Sequence, residues 1–132
     1  MSKHIGKIYP SYFRFYDKQI KKISIKSRPV LIVGDPGSAI DTEYVVLPVS
    51  SLINQAHYQK DYDVLLKKEK LNRSNLNRNS YVRTHKRTVM YKAEIDFTKC
   101  IVDLKNDNDH IFKEIIYKME KYDKKLADLA KK

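Results

Sequence analysis

Two short stretches carry the residues best suited to chemistry. Residues 27–33 read SRPVLIV, which places Arg28 and a proline directly ahead of an apolar run. Residues 44–51 read YVVLPVSS, an apolar run that ends in Ser50 and Ser51. A guanidinium is a planar fork whose donors match phosphate oxygens. Its pKa lies above about 12, so it can steady negative charge but moves a proton poorly. A hydroxyl at Ser50 can bond a phosphate oxygen or hold a sugar hydroxyl in line for attack. The plainer readings are a surface arginine opening one strand and a polar strand end entering a turn.

The other candidates are more scattered. His85 stands in RTHKRT, among cations that disfavour its protonation, as a proton shuttle or base-stacking residue or simply part of a solvated basic strand. His57 follows the serine strand closely enough to reach the same cleft. His4 has no evident role, and His110 falls in the first turn of a final helix. Asp61 and Asp63, in KDYDV, would share a strand face and read as solvated charge. Cys100 lies between apolar residues and reads as a core thiol. No Cys–His, Asp–His–Ser or His-x-x-x-His spacing occurs, so no metal or cofactor is expected.

The 132 residues suit one domain. Lys and Arg total 27 against 16 Asp and Glu, a net charge of +11 that favours polyanionic partners. One cysteine permits no internal disulfide and fits a reducing compartment. No apolar run approaches the roughly 20 residues of a membrane span, and the first ten residues do not look like a signal peptide. A cytoplasmic location without membrane insertion is the expectation.

The elements that must position these residues read as follows. HIGKIYP (4–10) is a short strand closed by Pro10, which cannot donate to a ladder. Residues 11–26 form a basic, aromatic loop or ribbon in which rings and cations alternate, a combination suited to unstacked bases. PVLIVG (29–34) is a buried strand, GDPGSAIDT (34–42) a turn, and EYVVLPVSS (43–51) the antiparallel return. Pro48 inside that return points to an edge or a bulge. YDVLL is a candidate strand. Residues 67–80 form a polar connection with a helical turn near Leu71–Leu76, and 80–96 are β-rich and basic. KCIVDL (99–104) is one more short strand.

Residues 106–132 form an amphipathic helix with an Asn/Asp opening. Its stripe is Ile111, Phe112, Ile115, Ile116, Met119, Tyr122, Leu126 and Leu129, packed on the core, with Glu114/Lys118 and Glu120/Lys124 as i,i+4 pairs. The fold class is therefore mainly β (β+α): a small antiparallel barrel over 5–104 with a long C-terminal helix over 106–132, in a single domain 1–132.

The ordered set GKIY (6–9), RPVLIVG (28–34), YVVLPVSS (44–51) and NSYVRTHKRTVMYKAEI (79–95) resembles the MazF/PemK toxins of type II toxin–antitoxin systems. The resemblance spans roughly residues 5–95. It implies an SH3-like, MazF-type barrel, usually a homodimer. It also implies metal-independent cleavage of single-stranded RNA by attack of the 2′-hydroxyl on the adjacent phosphate, restrained by a cognate antitoxin. The family's arginine aligns with Arg28 and its strand-end threonine with Ser50. Lys7 replaces the usual acidic residue, and the Gly-rich stretch before the arginine is missing.

On this reading Arg28 and Ser50 are catalytic. RNA is gripped by Arg14, Tyr16, Lys18 and Lys26 on the ribbon, and by Ser51, His57, Arg83, His85 and Arg87 beyond it. The alternatives are a non-catalytic nucleic-acid- or protein-binding module on the same fold, as in a phage or mobile-element factor, and a ribosome- or DNA-associated protein on another barrel.

Overall fold

The run Val30–Val33 is apolar without alternation, which a strand tolerates only when both its faces are covered. That requirement shapes the sheet. The computed structural model describes residues 3–36, 43–51, 55–71, 76 and 78–132. Its strands are β1 (Lys7–Asp17), β2 (Lys22–Gly34), β3 (Glu43–Ser50), β4 (Asp63–Leu66), β5 (Ser80–Arg83), β6 (Thr88–Tyr91) and β7 (Val102–Asp103). All pair antiparallel in the order β4-β5-β3-β2-β1-β7, and β6 joins β3 beside β5. The sheet curls into a half-barrel. The expected mainly β class, with a long C-terminal helix, is what forms.

The curl lets both faces bury side chains. Ile8, Leu31, Leu47, Val49, Val64, Leu66 and Val82 pack on one face with Phe112 and Ile115 of the helix. Tyr9, Val30, Ile32, Tyr44, Val46, Met90 and Ile95 fill the other. Alternate residues of β1, β2 and β3 thus enter two cores, and the apolar run at 30–33 follows.

Two of the strand prolines, Pro10 and Pro48, behave differently from expectation. Pro10 does not close β1, which continues to Asp17. Its carbonyl accepts from the Asp96 N–H at 2.9 Å, so its backbone polar groups face away from β2. The missing N–H therefore removes no β1–β2 bond. Pro48 lies in a central strand rather than at an edge. On its far side β3 pairs with β6 through Glu43–Val46 and with β5 through Val49 and Ser50. Pro48 occupies the gap where the partner changes, a position that asks for no ladder donor there.

Residues 11–26 are a two-stranded ribbon, the continuation of β1 and β2 beyond the body of the sheet, with register from Ser11–Arg28 to Asp17–Lys22. The turn at its tip places Lys21 at φ 54°. Most of the expected turn 34–42 and of the helical turn at 71–76 lies outside the described residues.

The final helix is shorter than expected. A four-residue turn α1 (Leu104–Asp107) precedes α2 (Asp109–Ala130), and Asn108 caps α2 by accepting from the Ile111 N–H at 3.1 Å. Phe112 and Ile115 are buried, whereas Leu126 and Leu129 are about half exposed, because the last turns run past the sheet. Lys118 pairs with Glu114 at 3.7 Å, but Lys124 reaches forward to Asp128 at 4.0 Å, not back to Glu120. Cys100 is exposed, not a core thiol, because it precedes the short β7 at the surface. Among the described residues no helix is long and apolar enough to cross a membrane.

Gly6 fixes where β1 begins. Its φ is +87°, and a Cβ there would sit 2.3 Å from the Lys105 Cβ, where the Lys105 N–H bonds the Gly6 carbonyl at 3.1 Å. Gly6→Ala is expected to cost at least ~1–3 kcal/mol from backbone strain alone. Urea unfolding measures this, and wild-type stability in the variant would contradict the packing described.

Candidate functional site

Antiparallel register brings the two opening stretches together. β2 and β3 pair Val30 with Pro48 and Leu31 with Leu47. That ladder ends at Val30 and Pro48, two residues short of Arg28 on β2 and of Ser50 on β3. Ser50 in turn pairs with Tyr81 on β5, and Ser11 of β1 pairs with Arg28. Directly opposed residues share a sheet face. Ser11 and Arg28 therefore share one face, as do Ser50 and Tyr81, and the Ser11 hydroxyl donates to the Arg28 carbonyl at 2.7 Å.

A second arginine stands close to Arg28. Arg83 ends β5 and pairs in register with Asp63 of β4. Its Nε donates to Asp63 Oδ1 at 3.1 Å, and its Nη2 donates to the His57 carbonyl at 2.8 Å. Asp63 is only 2 % exposed and also accepts the Gln59 N–H at 2.7 Å. This corrects the sequence reading of Asp63 as solvated charge; only Asp61 is exposed. A carboxylate in that position must be paired, because an uncompensated buried charge costs several kcal/mol.

The electrostatics follow from the crowding. Arg28 is half-buried, with its guanidinium 5.1 Å from the Phe13 ring centre. Its pKa is pushed down first by burial and then by the charge of Arg83. Lys26, 4.8 Å over the Phe15 ring, is lowered by burial and then by Arg28. Lys26, Arg28 and Arg83 thus form a file of like charges, an arrangement that an anion relieves.

His85 lies at the inner end of that file. Its Nε2 is 3.5 Å from Arg83 Nη2, and its Nδ1 is 3.9 Å from Asp63 Oδ1. Among the described residues that buried Nδ1 has no hydrogen-bond partner. Tyr62 and Tyr122 pack against the ring, at 5.6 and 6.0 Å between centres. Burial is the main cause of a lowered His85 pKa; Asp63 opposes it, and Arg83 and Lys86 add to it. The imidazole is thereby held neutral at physiological pH.

The structure gathers Arg28, Arg83 and His85, with Lys26 on the same face as Arg28, His57 joined through its carbonyl, and Ser50 on the strand between β2 and β5. Ser51 follows β3 and is half-buried. The other candidates point elsewhere. Arg14 and Tyr16 oppose Ile25 and Ile23 on the reverse face of the ribbon, and Arg14 approaches Glu94 at 3.8 Å. Lys18 is exposed in the turn at the tip. Arg87 bonds Asp123 of α2 at 2.6 Å and ties that helix to the turn between β5 and β6. Sequence reasoning missed Asp63, Tyr62 and Tyr122. The only available sign was a charged residue opening the apolar strand DVLL.

No protein-family model matches the chain, and no curated protein matches it either.

The lowered His85 pKa has a stability consequence. Below the ordinary value of 6.5 the unfolded chain binds more protons than the folded one, so stability falls as pH drops through that window. His4, also lowered chiefly by burial, acts in the same sense. Urea unfolding over a pH series is expected to show a shallower loss below pH 6.5 in His85→Gln than in wild type; an unchanged slope would contradict the buried neutral imidazole.

Proposed function

We propose that this protein is a metal-independent endoribonuclease acting on single-stranded RNA. The observation that carries the reading is the juxtaposition of Arg28 and Arg83 in one partly buried pair, with Ser50 on the strand that lies between theirs. Two crowded guanidinium groups suit the phosphate of a nucleic-acid backbone, and the likeness of GKIY, RPVLIVG and YVVLPVSS to MazF/PemK toxins points to the same chemistry.

On this reading the roles are as follows. The RNA 2′-hydroxyl attacks the adjacent phosphorus, the bond to the 5′-oxygen of the next nucleotide breaks, that oxygen takes a proton from water to leave as a hydroxyl, and a 2′,3′-cyclic phosphate is left behind. The phosphorane-like transition state gains negative charge on its equatorial oxygens. Arg28 receives that charge through its planar fork, and Arg83, held by Asp63, supplies a second cation that need not reorient. Ser50 bonds a phosphate oxygen and keeps the attacking hydroxyl in line. Both arginines remain cations, so proton transfer falls to another group. His85 is the neutral imidazole at this end of the sheet and accepts the proton from the 2′-hydroxyl. Lys26 and the basic residues of β5 and its following turn hold the flanking chain. The reading carries with it an antitoxin partner, paired subunits and a cytoplasmic setting.

Purified protein incubated with a long mixed-sequence RNA in EDTA is expected to cut it. Arg28→Ala is expected to slow cutting about 10²–10³-fold, the usual loss when a donor to a developing oxyanion is removed, with folding retained. Intact RNA with the wild type would refute the activity and favour a non-catalytic binding module. Full activity in Arg28→Ala would refute the site.

A further inference from the structure

The face of the β1–β2 ribbon continuous with Arg28 differs from its reverse. Register places Ser11, Phe13, Phe15 and Asp17 of β1 on it, opposite Arg28, Lys26, Ser24 and Lys22 of β2. The reverse carries Tyr12, Tyr16, Ile23 and Ile25, each more than half exposed. On the Arg28 face the two phenylalanine rings are half-buried and each lies beneath a cation, Arg28 over Phe13 at 5.1 Å and Lys26 over Phe15 at 4.8 Å. Rings so occupied are seats for cations, not platforms for bases. Each seat removes rotamer freedom from a long side chain before any ligand arrives, which lowers the entropy lost on binding.

Lys26 and Arg28 are two residues apart on one strand, so their stems stand about 6.7 Å apart along the ribbon. That is close to the step between phosphates in an extended single strand. Arg83 continues the file on the other side of Arg28. Lys26 and Arg28 stand in file along one strand where the sheet narrows to two strands, and Arg83 of β5 extends the line across β3, an arrangement that suits one backbone and not the two of a duplex.

We infer that Lys26, Arg28 and Arg83 form a track for three consecutive phosphates of a single-stranded polynucleotide, with the central phosphate at Arg28 and Ser50. The inference rests on the reading of that central site as a phosphate site. It adds the path of the chain and a minimum ligand of four nucleotides. The contacts are to the backbone, so the track itself carries no base preference and accepts deoxyribose as well as ribose.

The test uses 2′-deoxy oligonucleotides, which lack the attacking hydroxyl and cannot be cut by the proposed reaction. Binding to the full chain is followed by fluorescence anisotropy across a salt series, for the dinucleotide, trinucleotide and tetranucleotide. Affinity is expected to rise at each added phosphate. Lys26→Ala should abolish the gain from trinucleotide to tetranucleotide and reduce the slope of log affinity against log salt by about 0.7, the value of one single-strand phosphate contact. Phe15→Leu, which keeps the charge and removes the seat, should weaken tetranucleotide binding with the slope retained. Lys113→Ala removes the same charge from an exposed, Asp109-paired position on α2 and should change neither. A Lys26→Ala protein that binds with the affinity and slope of Lys113→Ala overturns the track. RNA cutting measured in parallel separates the two claims: binding as described without cutting upholds the track and removes the nuclease, whereas cutting with Lys26→Ala binding unchanged removes the track alone.

Discussion

The buried pair between Asp63 and Arg83 is the constraint on which the rest of the site depends. Arg28 and Arg83 repel each other across a partly desolvated surface, and Arg28 loses hydration by being there. One carboxylate, almost wholly buried and accepting both Arg83 Nε and the Gln59 N–H, holds Arg83 in place. Removing one partner of such a pair typically costs about 3–5 kcal/mol, because the other is left charged and unmatched. The same carboxylate lies 3.9 Å from His85 and opposes the loss of its proton affinity. A single aspartate therefore sets the position of a cation and tempers the basicity of an imidazole.

The sheet makes this arrangement affordable in chain length. Its curl buries both faces of β2, so the strand that carries Arg28 is fixed from two sides by Ile8, Leu31 and Leu47 on one and Tyr9, Val30 and Ile32 on the other. The change of partner along β3 brings β5, and with it Arg83, alongside the Ser50 end of the strand. Helix α2 closes the far side through Tyr122 against Tyr62 and His85, and through Arg87 bonded to Asp123. The ribbon, by contrast, has only two strands and exposes large apolar residues, as expected of a segment that works by contact with something else.

What the sequence made legible was the part governed by local pattern. The apolar runs at 29–34 and 43–51, their antiparallel pairing and the Asn-capped helix all follow from periodicity and turn chemistry. What it did not show depends on tertiary register. Asp63 resembles any surface carboxylate until β4 pairs with β5 and sets it against Arg83. Pro10 and Pro48 look like breakers until the direction of their backbone groups is known. Phe13 and Phe15 look like stacking rings until the register places Arg28 and Lys26 above them. Leu126 and Leu129 satisfy the helical stripe, yet the sheet ends before reaching them, and no pattern in the helix announces where its support stops.

The central claim is that the arginine pair and Ser50 serve attack by a neighbouring 2′-hydroxyl on phosphorus. The most direct measurement is the chemistry of the new ends, read by phosphorus NMR or mass spectrometry on RNA treated with the protein in EDTA. The account predicts a 2′,3′-cyclic phosphate on one fragment and a 5′-hydroxyl on the other, with no cut at a linkage whose attacking sugar is 2′-deoxy. A 5′-phosphate end, or cutting that persists at the 2′-deoxy linkage, would contradict it.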